Sequence, residues 1–306
     1  MAADKPAKAP PLYEGGDAKS TEGWGHLDAA RFCGMVIPMT RPVIRFAFAA
    51  PLLLLSACSF SDSPENAAAA TKPANFAAPA PIAFIRDQKN ELVEFHYAWS
   101  KEAAAEPKLA AILTADMDKT LADLQTNAAA DRDEREKRGF PFNPYTSSTD
   151  YETAGQSERL LSLIASHGEY TGGAHPNSMT SALLWDRGTD KDVKFAELFA
   201  SSDNRDRLLT QRWCDALNVE REKKRGAAVG GDGIFDECPK LDDIAIIPVD
   251  KDGNGRFERL SLIASPYVAG PYVEGSYEIE LAVTGDLIAA LTDAYKAGFE
   301  AVQAPQ

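Results

Sequence analysis

Histidine is scarce in this sequence, with four residues in 306, and one of them, His26, precedes the segment that reads as an export signal. The remaining three leave little material for a catalytic metal centre. Basic charge is also short: Lys and Arg total 32 against 46 for Asp and Glu, a net charge of −14. No basic stripe stands out that could offset the cost of approaching phosphates, so nucleic acid is not an expected partner. The chain has no Gly-x-Ser-x-Gly elbow, no His-Glu-x-x-His pair, no phosphate loop and no Gly-x-Gly-x-x-Gly after a strand. These absences weigh against an enzyme, and no catalytic residue is assigned beyond one candidate, His175.

What is present begins with size. A chain of 306 residues that is 44% hydrophobic can build one large domain or two modest ones. Its N-terminal part carries an address: in "MTRPVIRFAFAAPLLLLSAC", Arg41 and Arg45 precede an apolar run that ends at small residues and Cys58. That order fits a lipoprotein signal over residues 39–57, with Cys58 as the lipidated first residue of the mature protein. The apolar run is short for a bilayer-spanning helix, which favours its removal. Residues 1–38 then read as an upstream artefact or a disordered leader, with Met1, Met35 and Met39 all open as the start. Five of the 46 acids and six of the 32 bases lie before Cys58, so the mature chain stands at −15. The expected location is the periplasm, lipid-anchored, at the outer membrane if the cell is Gram-negative.

Residues 58–81 are rich in Ala, Pro and Ser and lack an apolar period, as expected of a flexible tether. In an oxidising compartment Cys214 and Cys238 read as a disulfide, and no histidine lies near them to complete a metal site. From Pro81 the composition is globular. A strand pair is expected around a turn at Asp87–Asn90, with His96 as a half-buried sheet residue. A helix is expected from about Ala105 to Ala130, with Leu109, Ile112, Leu113, Met117, Leu121 and Leu124 on one face. Strands follow at 159–166 and at "MTSALLWD", then a helix near Asp203–Arg225, then strands at "DIAIIPV", "RFERLSLIAS" and "SYEIELAV". A last helix is expected over Asp286–Val302. Strands interleaved with about three packed helices, joined by hairpin-like connections, predict an α+β fold with antiparallel sheets.

"ERLLSLIAS" at 158–166 returns as "ERLSLIAS" at 258–265, and each copy leads into a loop with Tyr and Gly. One strand-and-loop device used twice, or two similar amphipathic strands, would both give this echo. In the first loop, "GEYTGGAHPNS", Gly172 and Gly173 can take positive φ and Pro176 fixes the backbone after His175. The string suits a tight turn. It also offers Tyr170, Gly172, Gly173, His175 and Asn177 as ligand contacts. Catalysis by His175 would need an acid partner, and only Glu169 is at hand; His167 reads as a packing or rim residue. In the second loop, Tyr267 and Tyr272 would form a rim beside the first if the repeat is real, and are otherwise ordinary sheet packing.

"DKDGNGRFERLS" places Asp250, Asp252 and Asn254 at positions one, three and five of a calcium-type loop, with Gly255 at six. Position twelve is Ser261 rather than a bidentate glutamate, and the flanks read as strands. Asn254-Gly255 between strands is a hairpin signal and is preferred here. If calcium binds, its ligands would be Asp250, Asp252, Asn254 and Glu258; otherwise no cofactor is expected.

"YTGGAHPN", then "WDRGTDKDVKFAELF", then "PYVAGPYVEGSYEIEL" resemble the paired extracytoplasmic domains of unknown function 4163 and 3298. That pair occurs in PdaC-type peptidoglycan deacetylases and in RsiV, an anti-sigma factor that senses lysozyme. The resemblance spans about 82–300 and implies two linked halves, a PdaC-type half at 82–185 and an RsiV C-terminal-type half at 186–302. The deacetylases carry a separate domain with a Thr-Phe-Asp-Asp-Gly motif, which has no counterpart in this sequence. Nor does the chain show the cytoplasmic segment and membrane span of an anti-sigma factor. The resemblance therefore implies a binding or sensing module for an envelope component, such as peptidoglycan or a lysozyme-like protein, tethered to the membrane by lipid. The alternatives are an envelope-glycan hydrolase or deacetylase using His175, and a structural lipoprotein with no small ligand.

Overall fold

The computed structural model describes residues 80–230 and 233–302. The expected leader, the signal at 39–57, Cys58 and nearly all of the tether lie outside the described residues. Those described belong to one compact unit.

The first sheet has six strands in sequence order. They are β1 (Phe84–Lys89), β2 (Val93–Trp99), β3 (Tyr145–Gln156), β4 (Leu160–Tyr170), β5 (Asn177–Asp186) and β6 (Lys191–Val193). Between β2 and β3 the chain forms α1 (Lys101–Ala104) and α2 (Pro107–Arg138). That excursion carries the chain back to its starting end, so β2 and β3 pair parallel while every other neighbour in the sheet is antiparallel. The expectation of antiparallel sheets holds except at this pair. The first turn falls slightly later than expected, because the Asn90 side chain accepts from the N–H groups of Leu92 and Val93.

Pro107 sits in the first turn of α2, where its missing N–H costs nothing, and Gly139 at φ 72° closes the helix. The charged run "DRDEREKR" carries the helix on to Arg138 as its solvated end. Leu109, Leu113, Met117, Leu121, Leu124 and Ala128 form the buried stripe. Ile112, counted on that face from sequence, is half exposed because it falls beside the stripe. The stripe packs on Val93, Phe95, Tyr97 and Trp99 of β2 and on Leu161 and Leu163 of β4.

The second sheet is antiparallel, β7 (Ala245–Val249), β8 (Arg259–Ala264) and β9 (Tyr277–Ala282), with β8 in the middle. Alternation along β7 assigns its two faces. Ala245 and Ile247 pack on Ala154, Ile164 and Ala182 of the first sheet, whereas Ile246 joins the core under α3 (Ser202–Arg225). The order of layers is α2, six-stranded sheet, three-stranded sheet, α3. Close approach of the sheets requires Gly155 at a bulge in β3: a Cβ there would lie 2.6 Å from the backbone nitrogen of Asp250.

The expected C-terminal helix is broken into α4 (Gly285–Ala290) and α5 (Asp293–Lys296). Leu291 is extended because it bridges Phe199, and the Thr292 N–H donates to the Leu198 carbonyl. No helix among the described residues is long and apolar enough to cross a membrane.

Candidate functional site

β4 and β8, the two copies of the sequence echo, occupy inner positions of different sheets, and the loops that follow them meet. Gly172 and Gly173, at φ 99° and 105°, turn the chain after β4. The Tyr170 hydroxyl donates to the Gly173 carbonyl and closes that turn. His175 then projects toward the second loop. Its imidazole stacks on Tyr272, with ring centroids 3.8 Å apart and planes 19° from parallel. The Tyr267 hydroxyl lies 3.2 Å from His175 Nε2, and the Tyr272 hydroxyl donates to the Pro176 carbonyl at 2.9 Å.

The tautomer follows from the partners. Nδ1 of His175 is 2.9 Å from the Pro176 carbonyl, which can only accept, so in the neutral ring Nδ1 carries the proton and Nε2 accepts from Tyr267. Among the described residues no carboxylate pairs with His175, and Glu169 instead lies opposite Ser147 and Asn177 in the sheet. Both nitrogens are thus engaged by neutral groups.

This aromatic rim stands at one end of a groove of about 760 Å³ along β5 and the start of β7, lined by Asn177, Met179, Ile244 and Ile246. Met179 and Tyr267 are each about half exposed, at 51% and 53%. Tyr267 has φ 71°, a strained value for a residue with a Cβ, and its N–H donates to the Gly270 carbonyl. Of the residues nominated from sequence, His175, Tyr267 and Tyr272 come together and Asn177 flanks them. Tyr170 serves its own turn.

A second polar cluster went unread in the sequence. On the face of β1–β3 away from α2, His96 Nδ1 lies 2.7 Å from Asp87 and Nε2 lies 3.0 Å from Asp150. The hydrogen bond to Asp87 is the chief cause of a raised His96 pKa; partial burial opposes it and Asp150 adds to it. His167, on the α2 face between Thr149 and Ser181, is shifted the other way by burial. Strand alternation could have put Asp87, His96 and Asp150 on one face, but their register was needed to make them neighbours.

The Asp250 loop is the connection between β7 and β8, as the hairpin reading expects. Asp250, Asp252 and Glu258 bring ligand atoms within 4.8 Å of one another, a hard oxygen set of the kind calcium uses. These oxygens already accept loop N–H groups: Asp250 takes those of Gly253, Asn254 and Gly255, and Glu258 takes that of Lys251. The Asn254 amide donates to Asp252 and Glu300. Cys214 and Cys238 form a disulfide, with Cα atoms 5.6 Å apart.

Residues 87–178 match the family model described as Deacetylase PdaC. That segment of the chain is PdaC-like. The PdaC-like segment contains His96, Asp150 and the His175 loop, and it ends before the strand-and-loop unit that supplies Tyr267 and Tyr272. Two solved structures of the DUF3298 family are also similar. One, from Bacteroides fragilis, shares 14% identity at a TM-score of 0.42 and covers 71% of this chain and 95% of its own. The other, from Pseudomonas aeruginosa PAO1, shares 15% identity at a TM-score of 0.42 and covers 69% of this chain and 97% of its own. No curated protein matches the chain.

Proposed function

We propose that the protein is an envelope-associated recognition module that holds its ligand at the His175–Tyr267–Tyr272 rim and along the adjoining groove. The observation that carries this reading is the seating of the His175 ring: Tyr272 stacks on one face, Nδ1 donates to the Pro176 carbonyl and Nε2 accepts from the Tyr267 hydroxyl. A histidine acting as general base is usually oriented by an acid, and among the described residues no carboxylate pairs with His175. Recognition needs rigid amphipathic surface beside a groove, and tyrosine supplies contact area at low entropic cost. The catalytic alternative, envelope-glycan hydrolysis or deacetylation by His175, fits this arrangement less well, and a purely structural lipoprotein leaves the half-exposed rim without a role.

Two ligand classes follow from the resemblance in sequence, a lysozyme-like protein and a peptidoglycan fragment. The test is a calorimetric titration of the protein with lysozyme and, separately, with soluble muropeptides, each at low and high salt. A chain at −14 attracts any basic protein at low ionic strength, and salt removes that component. Binding of either ligand that survives high salt and falls with Tyr272→Ala supports recognition at the rim. Release of acetate or cleaved glycan that stops with His175→Ala would overturn it in favour of the enzyme. Anchoring through Cys58 belongs to the same proposal. It requires a diacylglyceryl-modified Cys58 peptide in the membrane fraction, and a Cys58→Ala protein that becomes soluble would agree.

A further inference from the structure

The core-facing stripe of α3 repeats every four residues: Arg205, Leu209, Trp213, Leu217, Arg221. Arg205 is answered by the carboxylates of Asp206 and Asp242. Arg221 is different. Its side chain is fully buried, and its hydrogen bonds all go to neutral oxygens. Nε donates to the Ala269 carbonyl at 3.0 Å, Nη2 to the Glu237 carbonyl at 3.0 Å, and Nη1 to the Asp236 carbonyl at 3.3 Å and to Asn218 at 3.2 Å. A buried guanidinium is costly unless every donor is used, so these oxygens are held firmly in place by it.

The two segments it joins are informative. Asp236 and Glu237 immediately precede Cys238, which is bonded to Cys214 on the same helix. Ala269 lies between Tyr267 and Tyr272 and is itself fully buried. The planar fork of the guanidinium lets one side chain serve both segments at once in a fixed geometry, which the point charge of a lysine does not reproduce. Its neighbours grip the same loop from nearer the solvent: Lys224 donates to the carbonyls of Glu274 and Ser276, and Arg225 pairs with Glu274 and Asp236. Arg225 also reaches the Ala269 carbonyl, at 3.5 Å, but Arg221 meets it at 3.0 Å from the fully buried side, where Tyr267 holds its positive φ nearby.

We infer that Arg221 is a positioning residue through which the Cys214–Cys238 disulfide holds the tyrosine loop in place against His175. Two-electron reduction of the disulfide by a dithiol, which is itself oxidised to its cyclic disulfide, leaves Cys214 and Cys238 as thiols and removes the covalent tie of the 236–238 segment to α3, leaving it held by hydrogen bonds and the Arg225–Asp236 pair alone. Arg221 then loses the fixed placement of two of its acceptors, and the Ala269 carbonyl shares the consequence. The importance of this coupling for recognition rests on the reading of the rim as a binding surface; the coupling itself does not.

The test reads the His175 ring protons by NMR. In the oxidised wild-type protein the ring should show the upfield displacement caused by Tyr272 and a nuclear Overhauser contact to Tyr267. Reduction by a dithiol should diminish both. Arg221→Lys keeps a cation but not the fork; it should diminish both without reduction, and reduction should then add little. Arg221→Met should do the same if it folds, and the reduction arm on the wild-type protein decides the matter if it does not. His175 signals unchanged in folded Arg221→Lys, or displaced by reduction equally in wild type and variant, would overturn the inference. No ligand enters this readout, so its failure would leave the recognition reading standing, and failed titrations with lysozyme and muropeptides would leave the coupling standing.

Discussion

The Tyr267 hydroxyl meets Nε2 of His175 at 3.2 Å across 92 positions of sequence. Each residue sits in the loop that follows an inner strand, β4 in one sheet and β8 in the other, so the sequence echo at 158–166 and 258–265 has a spatial counterpart. The rim exists only because the two sheets stack.

Removal of the stacked ring should be felt as affinity. An aromatic pair contributes about 0.5–1.5 kcal/mol beyond its buried area. Tyr272→Ala should therefore weaken salt-resistant binding by about threefold to tenfold. Tyr267→Phe, which deletes one hydroxyl, should cost about threefold to fivefold. Calorimetry on the two variants measures both, and unchanged affinity in the pair would place the ligand elsewhere.

The histidines of the first sheet should titrate on opposite sides of the ordinary value of 6.5. His96 is raised, first by its hydrogen bond to Asp87, and His167 is lowered by burial. By linkage, the His96 contribution to stability is full below its unfolded pKa and fades as pH rises through the higher folded one. For His167 the sign reverses: its contribution is present above the unfolded pKa and fades as pH falls through the lower folded value. Because His96 is partly exposed, its contribution should stay under about 1 kcal/mol. NMR titration of the ring protons gives the order directly, and a His167 that titrates above His96 would refute it.

In the β7–β8 connection, Asp250→Ala should destabilise more than Asp252→Ala. The Asp250 carboxylate accepts three backbone N–H groups, whereas Asp252 accepts the Asn254 N–H and its side-chain amide. A loss of about 1–2 kcal/mol is expected for Asp250→Ala in denaturant unfolding, since hydrogen bonds to a charged group exceed neutral ones. The hairpin reading expects the same midpoint with and without millimolar calcium; a calcium-dependent rise that Asp250→Ala abolishes would assign a metal instead.

Loss of the Cys214–Cys238 disulfide should lower stability by about 3.5 kcal/mol, the chain-entropy value for cysteines 24 residues apart. Denaturant unfolding of the Cys214→Ser/Cys238→Ser protein checks this. A change well under 1 kcal/mol would mean that Arg221 and the bond from the Trp213 indole to the Pro239 carbonyl hold the segment unaided.

Local structure was legible where one face of an element is repetitive. The spacing of Leu109, Leu113 and Met117 fixes α2, and the four-residue step of Leu209, Trp213 and Leu217 fixes α3. The same step, carried one turn further, lands on Arg221, so a buried arginine could have been found by extending the stripe. The last helix was misread because Leu291 and Thr292 fit a helical period as well as they fit the extended bridge to Phe199 that they make. Period alone cannot show that competition.

By itself the sequence determined the α+β class, the helical stripes, the paired cysteines and the two glycine-bearing loops, because each depends on side-chain periodicity or backbone freedom within a few residues. Only the tertiary structure decided that β2 and β3 run parallel, that Asp87 and Asp150 flank His96, and that His175 lies on Tyr272. Those relationships depend on which strands become neighbours. That choice is made by packing α2 on one sheet, α3 on the other and the two sheets on each other, through apolar contacts between residues far apart in the chain.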